Sequence, residues 1–227
     1  MEKEAIDVID FYNKPGMAEY YYNQVSLEGN LPTEILKGVV CNDLPKNLKP
    51  NGGLMIDLGC GPGNGIIDLV SVFNFKEIVA VDASTEMISL IEKKVDTKKV
   101  KLRTQLADLR HDNLDVASNS ANMVISLCVM PYLDNIEKIF SEVGRTLKKD
   151  GLFIFNMKIH EETKVETLPV FGGPIIPVWF FIYHDYQIIS LARKYNMSGI
   201  TCIILNDEPR TWEVKSTKHL LYILVKK

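Results

Sequence analysis

Short apolar runs alternate with longer amphipathic stretches through the middle of this chain. The runs Leu54 to Asp57, Ile78 to Asp82, Val100 to Leu106, Met123 to Leu127 and Leu152 to Asn156 are continuous rather than alternating, as expected of strands buried on both faces. Between them, Gly65 to Phe73, Thr85 to Val95 and Ile136 to Leu147 repeat apolar residues at helical spacing. Two further apolar runs, Ile200 to Leu205 and Leu220 to Val225, follow a helical stretch from Asp185 to Tyr195. The pattern predicts an α/β fold: a Rossmann-like, doubly wound sheet, seven-stranded and mostly parallel, with helices on both faces.

The flanks of this alternation differ from it. The segment up to residue 46 reads as helical and polar, with Phe11, Tyr12, Tyr20, Tyr21 and Tyr22 interrupted by the turn signal Pro15-Gly16, and a second helix is predicted from Thr33 to Val40. From Glu161 to Tyr183 the chain carries Pro169, Gly172, Gly173, Pro174 and Pro177 among bulky apolar residues, which predicts a covering loop rather than a core element. The expected organisation is one domain over residues 1–227. Within it, 1–48 form an N-terminal helical lid, 50–158 a ligand-binding core, 159–183 a covering substrate loop and 184–227 a helix with two strands.

The 227 residues are 46% hydrophobic and 24% charged, enough apolar surface for a sizeable core. A net charge of −3 gives no general attraction to phosphate backbones, so nucleic acid is disfavoured as a partner and a small molecule is expected instead. The start, MEKEAIDVID, lacks the apolar stretch of a signal peptide, and no apolar run is long enough for a membrane span; a cytoplasmic protein is expected. Cys41, Cys60, Cys128 and Cys202 lie far apart without a CxxC pair, which suggests reduced thiols and no metal site. Nothing in this pattern specifies an oligomeric state.

The densest chemistry lies at Ile56-Asp57-Leu58-Gly59-Cys60-Gly61-Pro62-Gly63-Asn64-Gly65, where a buried strand meets a glycine-rich turn and then a helix. Such a turn lets a ligand approach the backbone, and its place after the first strand matches the rule that open α/β sheets bind ligands at strand carboxyl ends. The spacing is GxGxG rather than the GxGxxG of dinucleotide folds, with Asn64 where the third glycine would fall. Asp57 would sit awkwardly beside a pyrophosphate but well beside an ammonium or sulfonium group. Asp82 ends the next strand 19 residues after Gly63, close to the offset at which an acid meets ribose hydroxyls. The alternative for Asp82 is a cap for the helix that follows, a role Ser84 could also fill.

Here the chain resembles the class I S-adenosylmethionine-dependent methyltransferases, whose first motif reads much like IDLGCGPGNG, and among them the group acting on small molecules. The resemblance covers about residues 50 to 158. It implies S-adenosylmethionine as cofactor, bound by Asp57, Gly59, Cys60, Gly61 and Gly63, with Asp82 on its ribose. It further implies Asp108 on the adenine amino group and the Leu109 N–H on the ring, with Ala83 and Met87 as apolar walls. Leu127 would line the same site, where members that methylate adenine or glutamine amino groups show Asn or Asp before Pro-Pro-Tyr. That departure leaves O-, N- or C-methylation of a small molecule open. Tyr21, with its neighbours Tyr20 and Tyr22, would fold over the cofactor as a lid.

Methyl transfer from a sulfonium is an in-line displacement, so alignment and exclusion of water matter most. An acceptor that must lose a proton needs a base near neutrality, and His111, His160, His184 and His219 are the histidines available. His184 is the candidate, because it lies beside Trp179, Phe180, Phe181 and Tyr183 just before a helix; a helix-capping histidine is the plainer reading. The competing functions are methylation of tRNA or a protein side chain, a non-catalytic S-adenosylmethionine-binding subunit, and a nicotinamide oxidoreductase.

Overall fold

The computed structural model describes residues 7–28, 38, 44, 46–70, 72–96, 98–159, 166–169, 177–181, 183–205 and 218–227. In chain order the strands are β1 (Leu54–Leu58), β2 (Glu77–Asp82), β3 (Lys101–Leu106), β4 (Ala121–Ser126), β5 (Leu147–Ile159), β6 (Glu166–Pro169), β7 (Pro177–Phe180), β8 (Met197–Leu205) and β9 (Lys218–Lys226). The helices are α1 (Val8–Tyr12), α2 (Met17–Glu28), α3 (Asn64–Val70), α4 (Thr85–Lys94), α5 (Glu137–Thr146) and α6 (Asp185–Lys194). Seven strands form one sheet in the order β3-β2-β1-β4-β5-β9-β8. β1 to β5 run parallel, while β9 lies antiparallel to both β5 and β8. The mostly parallel sheet predicted from the apolar runs is therefore present.

Alternate residues along each strand feed two cores. Ile56, Leu58, Val79, Val81, Phe153 and Phe155 face α5 and α6, while Met55, Ile78, Ala80, Met123 and Ile154 face α3 and α4. Phe140 of α5 meets Phe153 edge-on at 5.5 Å, and Phe153 stacks on Phe155 at 4.5 Å. Each such side chain contributes about 1.5–3 kcal/mol by leaving water. No helix among the described residues is long and apolar enough to cross a membrane.

Two expectations change. β5 outruns the predicted Leu152 to Asn156 at both ends, from Leu147, which pairs with Ala121 of β4, to Lys158 and Ile159, which pair with His219 and Lys218 of β9. The stretch expected to be a covering loop contains the antiparallel hairpin β6–β7. Thr167, Val178, Trp179 and Phe180 suit an extended chain, and Pro169 pairs with Pro177 at one end of the ladder, where a missing N–H costs least. The predicted helix from Thr33 to Val40 falls almost entirely outside the described residues, as does His160.

The break at Pro15-Gly16 is where α1 ends and α2 begins, with Gly16 at φ +78°. Ala18 of α2 packs with Met87 and Leu90 of α4, and Tyr12, Tyr21 and Tyr22 pack against this cluster. The N-terminal helices thus lie against α4 at the end of the sheet where the glycine loop begins. The chain adds β2 and β3 on one side of β1 and returns to place β4 on the other. Ligands of open α/β sheets bind at the carboxyl ends of strands beside such a reversal.

Candidate functional site

The β1 strand delivers Asp57 into the space below the glycine loop. Its side chain is 4% exposed, and among the described residues no group donates a hydrogen bond to it. Burial pushes its carboxyl up to about 8, and the nearby Asp82 adds to the shift. A buried carboxylate without a donor is costly, so this position is made for a cation or holds a proton.

The loop that follows carries Gly59 at φ +70° and Gly61 at φ +53°, a region L side chains rarely enter. The two glycines serve different ends. A Cβ on Gly59 would stand 2.2 Å from Val129 Cγ2, so this glycine lets the ends of β1 and β4 approach. A Cβ on Gly61 would meet nothing nearer than Tyr21 Cε1 at 4.0 Å, leaving backbone open toward the N-terminal helices. Gly63 packs against Ile91 of α4. Cys60 is buried, and burial together with Asp82 and Asp57 drives its thiol well above the ordinary range.

Asp82, at the end of β2, closes the loop from the other side. Its Oδ2 accepts from the Gly61 N–H at 2.8 Å and its Oδ1 from the Ser84 N–H at 2.9 Å. Burial raises its pKa, while the N–H groups of Ser84, Gly61 and Ala83 pull it back. The helix-capping alternative goes to Ser84, whose Oγ accepts from the Met87 N–H at the start of α4. A carboxylate with three N–H donors still has acceptor capacity to spare. The open Gly61 backbone, the donor-free Asp57 and this held Asp82 fit a ligand with a cationic end and paired hydroxyls.

Comparison with known proteins agrees with this geometry. A family model described as a methyltransferase domain matches residues 56–155. The probable S-adenosylmethionine-dependent methyltransferase CRG1 of Saccharomyces cerevisiae is 29% identical over 122 residues, 53% of this chain and 41% of that protein. The carboxy-S-adenosyl-L-methionine synthase of Sulfurimonas denitrificans is 30% identical over 112 residues, 48% of this chain and 46% of that protein. These matches thus span less than half the length of either relative. Among solved structures, an S-adenosylmethionine-dependent methyltransferase from Clostridium acetobutylicum shares the fold at a TM-score of 0.63 and 18% identity, covering 95% of this chain and 99% of that one. Residues 56–155 carry a methyltransferase domain.

The remaining expected residues of this methyltransferase domain are arranged unevenly. Asp108 and Leu109 follow β3, as expected, but the Asp108 carboxylate is gripped by Arg110, with Nε at 2.9 Å from Oδ1 and Nη2 at 2.8 Å from Oδ2. Burial works against the charged form of Asp108, yet Arg110 outweighs it and keeps the carboxyl below the usual range. The same guanidinium reaches Asp7, with Nη1 to Oδ2 at 2.7 Å, and Asp7 caps α1 through the Ile9 N–H. Ala83 is half-buried beside Asp82, whereas Met87 is turned into the cluster with Ala18 and Leu90. Leu127 is half-buried against the α3–α4 core. Tyr21 stands over Gly61. His184 lies at the start of α6, where its N–H donates to Gln187 Oε1 at 2.8 Å and its ring stacks on Tyr186 at 5.1 Å. Tyr186 is 67% exposed, so this stack lies toward the rim.

One group of residues escaped the motif reading. Asn156 of β5 is 1% exposed; its Oδ1 accepts from the Cys128 N–H at 2.6 Å and its Nδ2 lies 3.5 Å from Cys128 Sγ. Cys128, just past β4, has φ +61°. A non-glycine residue held there costs about 1–2 kcal/mol, which the buried amide offsets. Asn156 looked like an ordinary strand residue; the available signal was a polar side chain in an otherwise apolar run, LFIFNM.

Proposed function

We propose that this chain transfers the methyl group of S-adenosylmethionine to a small-molecule acceptor above the carboxyl ends of β1, β4 and β5. The observation that carries the reading is Asp57: a buried carboxylate with no described donor, directly below a glycine loop whose Gly61 leaves its backbone open. Bound S-adenosylmethionine supplies an already activated methyl group. In this reading Asp57 faces the cationic methionine end, the loop from Gly59 through Cys60 and Gly61 to Gly63 shapes its bed, and Asp82 accepts the ribose hydroxyls. Asp108, the Leu109 N–H, Ala83, Met87 and Leu127 surround the adenine side.

The segment 1–48 acts as the lid through Tyr21, and the stretch 159–183, with its β6–β7 hairpin, covers the acceptor. The Phe181 N–H donates to the Pro131 carbonyl at 2.7 Å and Tyr183 Oη donates to the Leu133 carbonyl at 2.6 Å, which supports that position beside the turn after β4. His184, next in sequence, is the proton acceptor for any acceptor that must lose a proton.

The relatives' acceptors differ: a Streptomyces coelicolor fold neighbour is a geranyl diphosphate C-methyltransferase, and a relative in Halobacterium salinarum is an arsenite methyltransferase. The test is therefore calorimetry with S-adenosylmethionine, S-adenosylhomocysteine and NAD, followed by transfer of labelled methyl to a panel of metabolites, RNA and protein. Absence of S-adenosylmethionine binding removes the reading; labelling of RNA or protein alone moves the acceptor to a macromolecule. With an acceptor in hand, His184→Ala is expected to lower turnover about 100-fold with cofactor affinity unchanged. Unchanged turnover leaves His184 as a helix cap.

A further inference from the structure

The short helix α1 is fastened at both ends, and each fastening lies next to one of the acids assigned to the adenosine half of the cofactor. At its start Asp7 caps the helix through the Ile9 N–H and accepts from Arg110 Nη1 at 2.7 Å. The other edge of that guanidinium holds Asp108, with Nε at 2.9 Å from Oδ1 and Nη2 at 2.8 Å from Oδ2. At its finish the Tyr12 carbonyl accepts from Ser84 Oγ at 3.1 Å, and Asn13 Oδ1 accepts from the Thr85 N–H at 3.0 Å. Ser84 is also the residue whose N–H holds Asp82. The Tyr12 ring meets Tyr21 edge to face at 5.5 Å, and its side chain hydrogen-bonds Tyr132, which ends the 3-10 turn Met130–Tyr132 after β4. A helix of 5 residues, about 7.5 Å long, thus reaches from the end of β3 to the start of α4.

Arg110 is the joint of this arrangement. Its main-chain N–H also donates to Asp108 Oδ1 at 2.9 Å, while the Asp108 N–H donates to Asp112 Oδ2 at 2.8 Å, so the acid is held from its backbone outward. A guanidinium fork that meets a carboxylate through two parallel bonds fixes the plane of that carboxylate, which a point charge does not. The Arg110 N–H groups occupy three of the roughly four acceptor positions a carboxylate offers. The direction of the last one is then set by the fork. Asp7, on the second edge, keeps the fork from swinging into solvent. Because the guanidinium is shared between two carboxylates, Asp108 stays ionised and remains a strong acceptor for a neutral N–H donor.

Resting on the methyltransferase reading above, we propose that Arg110 positions Asp108 for the adenine amino group of the cofactor, and that Asp7 makes this positioning depend on α1 being docked. In this assignment neither Arg110 nor Asp7 touches the cofactor; both act through Asp108. An acid already fixed when the ligand arrives loses little further freedom on binding, and this favours ligands that carry a donor at that point of the ring. By linkage the effect runs both ways, so a ligand with the amino group holds α1 down more firmly than one without it. The two ends of α1 therefore have different duties. The end at Ser84 and Thr85 ties the helix to the fold beside the ribose acid, and the end at Asp7 carries selectivity for adenine.

The test is calorimetry on the full chain with S-adenosylhomocysteine and its 6-deamino analogue, in which hydrogen replaces the adenine amino group and the ring nitrogens are kept. The unaltered chain should prefer S-adenosylhomocysteine by about tenfold or more, the effect of one hydrogen bond to a charged acceptor. Arg110→Met should reduce the preference to about threefold or less, because a misaligned bond weakens steeply. Asp7→Asn should narrow it by about two- to threefold, the scale of a partly exposed ion pair, and should add nothing in the Arg110→Met background. A purely structural role would weaken both ligands equally and leave the preference standing; that result overturns the proposal. An unaltered chain without preference, or an Asp7→Asn effect that persists without Arg110, overturns it as well. Should Arg110→Met not fold, Asp7→Asn decides alone, and an unchanged preference is then the overturning result. If S-adenosylhomocysteine itself fails to bind the unaltered chain, it is the methyltransferase reading that fails.

Discussion

The two halves of the sheet's carboxyl edge are built from different materials. At β1 and β2 the groups are a buried carboxylate, a half-buried one and an open glycine backbone, all within residues 57 to 82. At β4 and β5 they are a thiol, a buried amide and aromatic rings drawn from α1, α2 and the turn after β4. The first half presents charge and backbone to a fixed ligand. The second presents faces and small polar groups, which can be exchanged without rebuilding the loop. Relatives with different acceptors on one fold are what such a division permits.

The sharpest way to break the comparison is at its seam. Gly59→Ala would place a Cβ against Val129 and force a left-handed alanine, with a combined cost of about 2–4 kcal/mol from strain and overpacking. A thermal melt should show it. Gly61→Ala shares the strain without the clash, so it should cost stability by only about 1–2 kcal/mol and act mainly on cofactor affinity. Equal losses in the two variants would mean the loop glycines do not divide the work this way.

The next largest effect is pH-dependent and confined to the carboxylate half. The Asp57 carboxyl is raised from an ordinary 3.8 to about 8, so the ligand-free fold holds a proton that the unfolded chain releases. Its contribution to stability is present in full below about 4 and is lost as pH rises to about 8, a change of a few kcal/mol. Asp57→Asn should flatten this slope in chemical unfolding measured across that range, and should weaken S-adenosylmethionine more than S-adenosylhomocysteine, which lacks the sulfonium charge. An unchanged slope would show that the carboxyl is solvated.

Smaller still, Asp82→Ala should weaken S-adenosylhomocysteine by about 1–3 kcal/mol in calorimetry, the range for losing hydrogen bonds to a charged acceptor. Unchanged affinity would sink the ribose assignment. The smallest effect is expected at the half-buried ion pair that ties the N-terminal helix to the end of β3. Arg110 has 22% of its side chain exposed, and its partner Asp7 has 38%, so Arg110→Met should cost under about 1 kcal/mol of global stability. It should nevertheless speed hydrogen exchange in Val8–Tyr12, because Asp7 is the cap of that helix. Unaltered exchange would mean that packing against α4 alone holds the lid.

The carboxylate half and the parallel sheet were legible because their information is local. A run such as LMIDLGCGPGNG encodes strand, turn and helix in consecutive residues, and continuous apolar runs report burial on two faces without reference to any neighbour. Asp57 and Asp82 could be named from their offsets, although the bond from Asp82 to the Gly61 N–H could not, since it spans 21 positions. The β6–β7 hairpin was missed because proline and glycine usually signal a loop, and only the pairing of Pro169 with Pro177 shows how a ladder accommodates them. Asp108 kept its place but acquired Arg110 and Asp7, a coupling between segments 103 residues apart that no window of sequence contains.

What the sequence determined by itself was the fold class, the glycine loop and the two acids that end β1 and β2. What only the tertiary structure decided was which distant side chains share a space: Asn156 with Cys128, Tyr12 with Tyr132, Tyr21 with Gly61. The physical reason is the nature of the two signals. Periodicity and turn chemistry act over a few residues and survive in any fold that uses them. Hydrogen bonds and ring contacts between segments depend on where packing brings the chain back, and that is a property of the whole core.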